Sequence, residues 1–236
     1  MAVDQAFATL KLIMNQQEAW ELEYNFSHAI PTSTRILPSS AVIKFEVLLQ
    51  QEKLHNLFIL DVGAGTGRNS IFLAKKGHKV TALDFSQSAL TILTGKIIRK
   101  HWSNNITIVD HNLIKRLPFA DNAFDAFVDI TTTTSLSPSN MKRLALELRR
   151  VVKPGGLFMS YIHSKDDGYL QAISPGRDRY EVGGTGIIDY AYSEADLRKL
   201  YKDWHILDLQ HIEKEDLICG ESCVRRLWQI MGRTEK

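Results

Sequence analysis

The chain has 236 residues, room for one or two domains at roughly 150 residues each. Its 44% hydrophobic and 24% charged residues exclude a disordered protein. Lys and Arg number 29 against 27 Asp and Glu, a net charge of +2, which argues against a general nucleic-acid binder. The two cysteines, Cys219 and Cys223, are too few for a disulfide scaffold and have neither partner ligands nor the spacing of a zinc site, so no metal is expected. The first residues carry no basic n-region and no long apolar run, and no segment reaches about 18 uninterrupted apolar residues. The expectation is a cytoplasmic globular protein with no membrane span.

The first 50 residues read as helix, break, helix. Phe7, Leu10, Ile13 and Met14 recur at helical spacing, followed by Trp20, Tyr24 and Phe26. Pro31 and Pro38 interrupt, and Ser39 or Ser40 can cap a second helix through Val42, Phe45, Val47 and Leu48. Residues 1–50 cannot bury a core of their own and are expected to pack on the main domain as a lid.

From residue 55 the rhythm changes. Leu57–Val62 is a short apolar strand, followed by a glycine loop and a helix through Ser70–Ala74. Val80–Asp84 is a second strand, Ala89–Ile98 a helix, Ile106–Asp110 a third strand and Phe124–Asp129 a fourth. A helix over Met141–Val152 stops at Lys153-Pro154-Gly155-Gly156, and Leu157–Ile162 is the fifth strand. Short buried strands alternating with helices predict βαβ units, hence an α/β, doubly wound, mostly parallel sheet. Residues 163–192 then lose the rhythm. They are polar and glycine-rich and read as a long insertion able to cap a site. Ser193–Tyr201 is a capped helix, and His205–Ile212 and Val224–Met231 are two strands expected to pair antiparallel at one side of the sheet.

The chemistry lies in Asp61-Val62-Gly63-Ala64-Gly65-Thr66-Gly67, after a strand and before a helix. Glycines at alternate positions allow a sharp turn and a close backbone approach, and the next helix presents its free N–H groups to an anionic group. The spacing is G-x-G-x-G, with neither the G-x-G-x-x-G of dinucleotide folds nor a following G-K-[ST]. Asp84 ends the second strand, where a carboxylate can accept both hydroxyls of a ribose.

These features resemble the class I S-adenosylmethionine-dependent methyltransferases, in the branch with a small-molecule type of methyltransferase domain. The matching stretches are Phe58–Phe85, Leu117–Asp125 and Leu148–Gly156, ordered and spaced as in that family. The resemblance implies a single domain over residues 1–236: a lid (1–50), a cofactor-binding core (55–162), a cap insertion (163–192) and a C-terminal helix with two strands (193–236). It implies a Rossmann-like seven-stranded sheet whose last strand is inserted antiparallel, and S-adenosyl-L-methionine as cofactor. Asp61, Gly63, Ala64, Gly65 and Gly67 would border the methionine part, with Arg68 fixing its carboxylate end. Asp84 would hold the ribose, Phe85 would lie against the adenine, and Asp110 would stand near its amino group, with Asn112 or Leu113 beside it. Ile130 and Thr131 would border the sulfonium, with Thr131 opening onto the substrate.

Other candidates have two readings each. Trp20 and Tyr24, four apart on one helix face, either pack against the sheet or cover the cofactor, where aromatic faces also suit a sulfonium. His163 and Tyr161, on the fifth strand, are either a base for the reaction or ordinary residues, His163 then a satisfied surface histidine. Arg177, Arg179 and Tyr180 either clamp an acceptor's carboxylate or phosphate or belong to a solvated loop. Asp125 is read as an anchor of the turn before the fourth strand. Near-neutral charge favours a small-molecule acceptor. The alternatives are RNA or protein as acceptor, kept open by Arg143, Arg149, Arg150 and Lys153, or a cofactor-binding protein that has lost catalysis.

Overall fold

Alternation of apolar side chains to two faces makes each central strand a two-sided wall, and helices cover both sides. A computed structural model describes residues 14–99, 101–102, 104–218 and 220–235. Its strands are β1 (Phe58–Val62), β2 (Lys79–Asp84), β3 (Ile106–Asp110), β4 (Phe124–Ile130), β5 (Val152–His163), a hairpin of β6 (Arg179–Glu181) and β7 (Ile188–Tyr190), β8 (Trp204–Ile218) and β9 (Glu221–Thr234). Seven of them form one sheet in the order β3-β2-β1-β4-β5-β9-β8. The first five run parallel, and β9 lies antiparallel between β5 and β8. This is the doubly wound α/β sheet expected from the sequence, with its inserted antiparallel strand.

Eight α-helices are described: α1 (Gln16–Leu22), α2 (Pro31–Thr34), α3 (Ser40–Gln51), α4 (Arg68–Lys75), α5 (Gln87–Arg99), α6 (Pro138–Val151), α7 (Gly168–Ile173) and α8 (Glu194–Leu200). On one face of the sheet Ile59, Ala126, Val128 and Met159 pack with Phe45 of α3, Leu73 of α4 and Leu93 of α5. On the other, Leu60, Val62, Phe127 and Phe158 meet Leu144 and Leu148 of α6, Leu197 of α8, and Trp204. Strand order reverses between β2-β1 and β4-β5, so a crevice opens beyond the carboxyl ends of β1 and β4.

Boundaries differ from the sequence reading in ways that have physical causes. Helix α6 starts at Pro138, three residues early, because Ser137 caps it and proline suits the first turn. Strand β5 takes in Lys153–Gly156, accommodated by a register shift opposite Phe124–Ala126. Strands β8 and β9 run to 15 and 14 residues because they pair along their whole length, including polar positions that periodicity does not flag.

The two flanking segments meet. Phe7, Leu10, Ile13 and Cys219 lie outside the described residues. Helix α1 carries a capping box between Asn15 and Glu18. Its Ala19 joins a small third core with Tyr169, Leu170, Tyr180, Val182 and Ile187 of the insertion and Ile218 of β8. Residues 163–192 are therefore not an irregular loop. They form α7 and a β-hairpin around buried apolar side chains, which a polar average composition hides.

Candidate functional site

A cavity of about 660 Å³ opens at the carboxyl ends of β1, β2 and β4. That volume suits a small-molecule site. Its floor is Gly63–Thr66, its sides are Asp84–Phe85 and Ile130–Thr132, and its roof is the start of α1 with Trp20 and Tyr24. The far wall comes from Asn112–Ile114, the segment 135–137, Asn140, and Arg179, Ile188 and Tyr190 of the hairpin.

Asp84 is the ordering element of the floor. Its carboxylate accepts the Gly65 N–H at 2.8 Å and the Ser86 N–H at 2.9 Å. Burial pushes its carboxyl above the ordinary range, and these backbone donors oppose the shift. A carboxylate has about four lone-pair directions, so two bonds leave capacity for hydroxyls of a ligand. Gly65 has φ +53°, and a Cβ there would sit 2.6 Å from the Tyr24 hydroxyl. Glycine thus lets the loop pass beneath the tyrosine. Gly67 has another reason: at φ +81° its missing Cβ would lie 2.1 Å from Leu93 Cδ1, and it is not part of the cavity wall.

Asp61 is also set back from the wall. It is buried and accepts the Ser70 hydroxyl at 2.5 Å, which fastens α4 to β1. Burial pushes its carboxyl up to about 6, with Ser70 opposing. Arg68 lines the cavity and donates to the Leu37 carbonyl at 3.3 Å. It is half-buried and is the first residue of α4, whose N-terminal N–H groups lie at the same end.

Trp20 and Tyr24 stack with ring centroids 5.7 Å apart and both line the roof. Burial first, and the nearby Asp84 charge second, hold the Tyr24 phenol well above its ordinary pKa, so it stays neutral. The roof is fastened to α5. Glu21 accepts the N–H groups of Gln87 at 2.6 Å and Ser88 at 3.2 Å, capping that helix from another element. Gln17 donates to the Phe85 carbonyl at 3.1 Å. Glu23, fully buried, accepts from the N–H groups of Ala29 and Ile30 and the Ser33 hydroxyl, closing the turn behind α1.

The sequence candidates divide cleanly. Gly63, Ala64, Gly65, Arg68, Asp84, Phe85, Asn112, Ile130, Thr131, Trp20, Tyr24 and Arg179 converge on the cavity. Asp110 does not: it is exposed, and its carboxylate accepts from the Gln87 amide. Tyr161 is buried in the core beneath α3, its hydroxyl 3.4 Å from Ser40 Oγ. Tyr180 is a core residue of the insertion because the β6–β7 hairpin turns it inward, and Arg177 is exposed away from the wall. His163 is neither at the cavity nor on the surface; it is 6% exposed and its Nδ1 has no hydrogen-bond partner. Asp125 anchors its turn by accepting from the Phe58 N–H and Lys153 Nζ. The basic cluster is engaged internally. Arg143, Arg149 and Arg150 donate to backbone carbonyls, Arg150 also pairs with Glu147 and Asp121, and Lys153 pairs with Asp125.

Wall residues that sequence reasoning missed include Gln16, Gln17, Ser135, Asn140, Ile188 and Tyr190. Gln16 joins the head to the insertion: its amide donates to the Gly186 carbonyl and accepts the Ile188 N–H, a pairing 172 residues apart. No local pattern signals it. Among the described residues no cluster of three or more metal-ligating side chains occurs, and no helix is long and apolar enough to cross a membrane.

Comparison with known proteins bears on this geometry. Residues 59–156 match a family described as methyltransferase domain. Ubiquinone biosynthesis O-methyltransferase of Hydrogenovibrio crunogenus is 32% identical over 136 residues, covering 56% of this chain and 53% of that protein. The tRNA N(3)-methylcytidine methyltransferase Mettl2 of Drosophila melanogaster is 26% identical over 148 residues, covering 59% and 46%. The chain therefore spans about half the length of these curated relatives. The crystal structure of Burkholderia thailandensis 1,6-didemethyltoxoflavin-N1-methyltransferase, with bound 1,6-didemethyltoxoflavin and S-adenosylhomocysteine, aligns with a TM-score of 0.66 at 18% identity, over 95% of this chain and 92% of that one.

Proposed function

We infer that the chain belongs to the class I S-adenosylmethionine-dependent methyltransferase family, supported by the family match over residues 59–156 and the similarity to methyltransferases. We propose that it methylates a small organic molecule. The carrying observation is Asp84 held by the Gly65 N–H beneath the stacked Trp20 and Tyr24, in a cavity that extends beyond them. When bound, S-adenosylmethionine supplies a sulfonium methyl group open to in-line displacement.

The protein's work is then to bind, align and exclude water. Asp84 would accept the ribose hydroxyls, and Phe85 and Asn112 would hold the adenine. Arg68 and the first N–H groups of α4 would hold the carboxylate. The faces of Trp20 and Tyr24 cover the site and favour a cation. Thr131 and Arg179 belong to the acceptor half. Arg179 supplies a cation on that wall, which favours an acceptor with an anionic group.

What supports a small acceptor is the volume of the cavity, the near-balanced charge and the internal engagement of the basic cluster of α6 and Lys153. The test is transfer of a labelled methyl group to a metabolite extract, run beside bulk RNA and protein. Label in a small molecule is the expected result. Label in RNA alone would place the chain with relatives such as the tRNA enzyme, and cofactor binding with no transfer would mean lost catalysis.

A further inference from the structure

We propose that Ser135, Asp189 and His163 form a proton exit behind the acceptor half of the cavity, so that the acceptor is a neutral hydroxyl or neutral amine that keeps its O–H or N–H proton at neutral pH. This rests on the methyl-transfer reading above.

Ser135 ends the short turn after β4 and lines the main cavity. Its hydroxyl donates to Asp189 Oδ1 at 2.6 Å. Asp189, on β7, is 7% exposed, and its Oδ2 stands 3.5 Å from His163 Nδ1, the buried nitrogen without a hydrogen-bond partner. Behind this pair lies a second cavity of about 60 Å³, bounded by His163, Asp189, Arg225, Lys214 and Asp216. Its lining mixes these charged groups with apolar side chains such as Leu170, Val182 and Leu227, and it has space for roughly two waters. Thr131 and Trp20 border both cavities. Ser135 on the main cavity, with Asp189 and His163 on the second, thus forms a chain of polar groups between the two cavities.

A turn could be fastened by a neutral amide, whereas a buried carboxylate beside an imidazole whose Nδ1 has no hydrogen-bond partner is costly. Burial pushes the Asp189 carboxyl up to about 6, opposed by the Ser135 hydroxyl and Arg225. Burial, with Arg225 and Lys214, holds His163 well below its ordinary pKa, so the imidazole is neutral. The other charges facing the pair are Asp167 at the start of α7, which binds Arg225 at 2.7 Å, and Asp216 of β8 with Arg35 of the head. At pH 7.5 Asp189 is ionised and can take a proton.

The step balances. The acceptor atom forms a bond to the methyl carbon with its own electron pair, and the methyl–sulfur pair stays on sulfur. The acceptor's proton passes to Ser135 Oγ as the serine's own proton passes to Asp189 Oδ1. The sulfonium charge and the Asp189 charge disappear together. Ser135 is the catalytic residue here, and Asp189 and His163 act through it.

The test uses the full chain with S-adenosylmethionine and a panel of hydroxybenzoates and aminobenzoates, whose carboxylate can meet Arg179. Asp189→Asn keeps the shape and an acceptor for Ser135. It should lower kcat about 100-fold with KM within twofold, and should remove the fall in kcat below about pH 6 expected of the native protein. Ser135→Ala should fail alike and Ser135→Thr should recover. Unchanged kcat in Asp189→Asn, a loss that is equal at every pH with raised KM, or no transfer to any member of the panel overturns the proposal. S-adenosylhomocysteine binding by calorimetry in the same samples separates the two readings: intact binding leaves the family reading standing, and its absence removes both.

Discussion

The glycine loop offers a decisive comparison, because two glycines of one motif have different jobs. In Gly67→Ala the new Cβ would sit 2.1 Å from Cδ1 and 3.0 Å from Cγ of Leu93, a side chain with no exposed surface, at φ +81°. The left-handed backbone costs roughly 1–2 kcal/mol for a residue with a Cβ, and forcing a methyl group into a packed core costs roughly 1–3 kcal/mol more. The total of about 3 kcal/mol corresponds to a fall in Tm of roughly 6–12 °C for a chain of this size. Nothing in that change touches the cavity, so the folded variant should keep the Tm rise produced by S-adenosylhomocysteine. In Gly65→Ala the new Cβ meets the Tyr24 hydroxyl, the far end of a side chain that can swing aside, so Tm should fall by less. The ligand-induced rise should be lost, because the methyl group and the displaced tyrosine stand where the cofactor must lie. Thermal unfolding of both variants with and without ligand decides it. If Gly67→Ala is as stable as the native chain but blind to the ligand, the assignment of Gly67 to packing is wrong.

Asp84→Ala should weaken S-adenosylhomocysteine binding roughly 10- to 100-fold, the worth of hydrogen bonds to a charged group, whereas Asp110→Ala should change it less than twofold, because that carboxylate is engaged with Gln87 outside the cavity; calorimetry on the pair measures both. Glu21→Ala removes the cap that α1 places on α5 and should cost about 1 kcal/mol of stability, with a faster ligand off-rate in stopped-flow because the roof loses its anchor. Stability should also depend on pH in an unusual direction. Asp61, Asp129 and Asp189 are each pushed by burial up to about 6 in the folded chain, so the stability their protonation provides is full below the unfolded value of 3.8 and is lost as pH rises through 6. His163, held low, acts oppositely as pH falls through the ordinary histidine value. Three carboxylates against one histidine leave the unliganded protein roughly 1 kcal/mol more stable at pH 5.5 than at pH 7.5; a lower Tm at pH 5.5 would contradict the burial of these groups.

The parts that sequence made legible are those where chemistry and chain proximity coincide. Strand β1, its glycine loop, α4 and Asp84 all lie within 28 residues, Phe58–Phe85, and each contact there follows from periodicity or from a positive φ. Legibility fails where a residue's role depends on which way a distant element turns it. Arg179 and Tyr180 are neighbours, yet the hairpin sends one to the cavity wall and the other into a core. Tyr161 and His163 share one face of β5, and only the placement of α3 over the first and β7 over the second separates a packed phenol from an imidazole beside a buried carboxylate. Composition misled for the same reason: residues 163–192 are polar on average, but their few apolar side chains converge with Ala19 from the other end of the chain. Asp110 shows the converse error. Its strand-end position matches Asp84 one strand over, with the two paired in register. The difference is the loop that follows. Asp84 is closed over by the Gly65 and Ser86 N–H groups, whereas the longer link after Asp110 brings Asn112 to the wall and leaves the carboxylate outside. A site residue is therefore specified by its strand end together with the turn that follows, and only the first of these repeats from strand to strand.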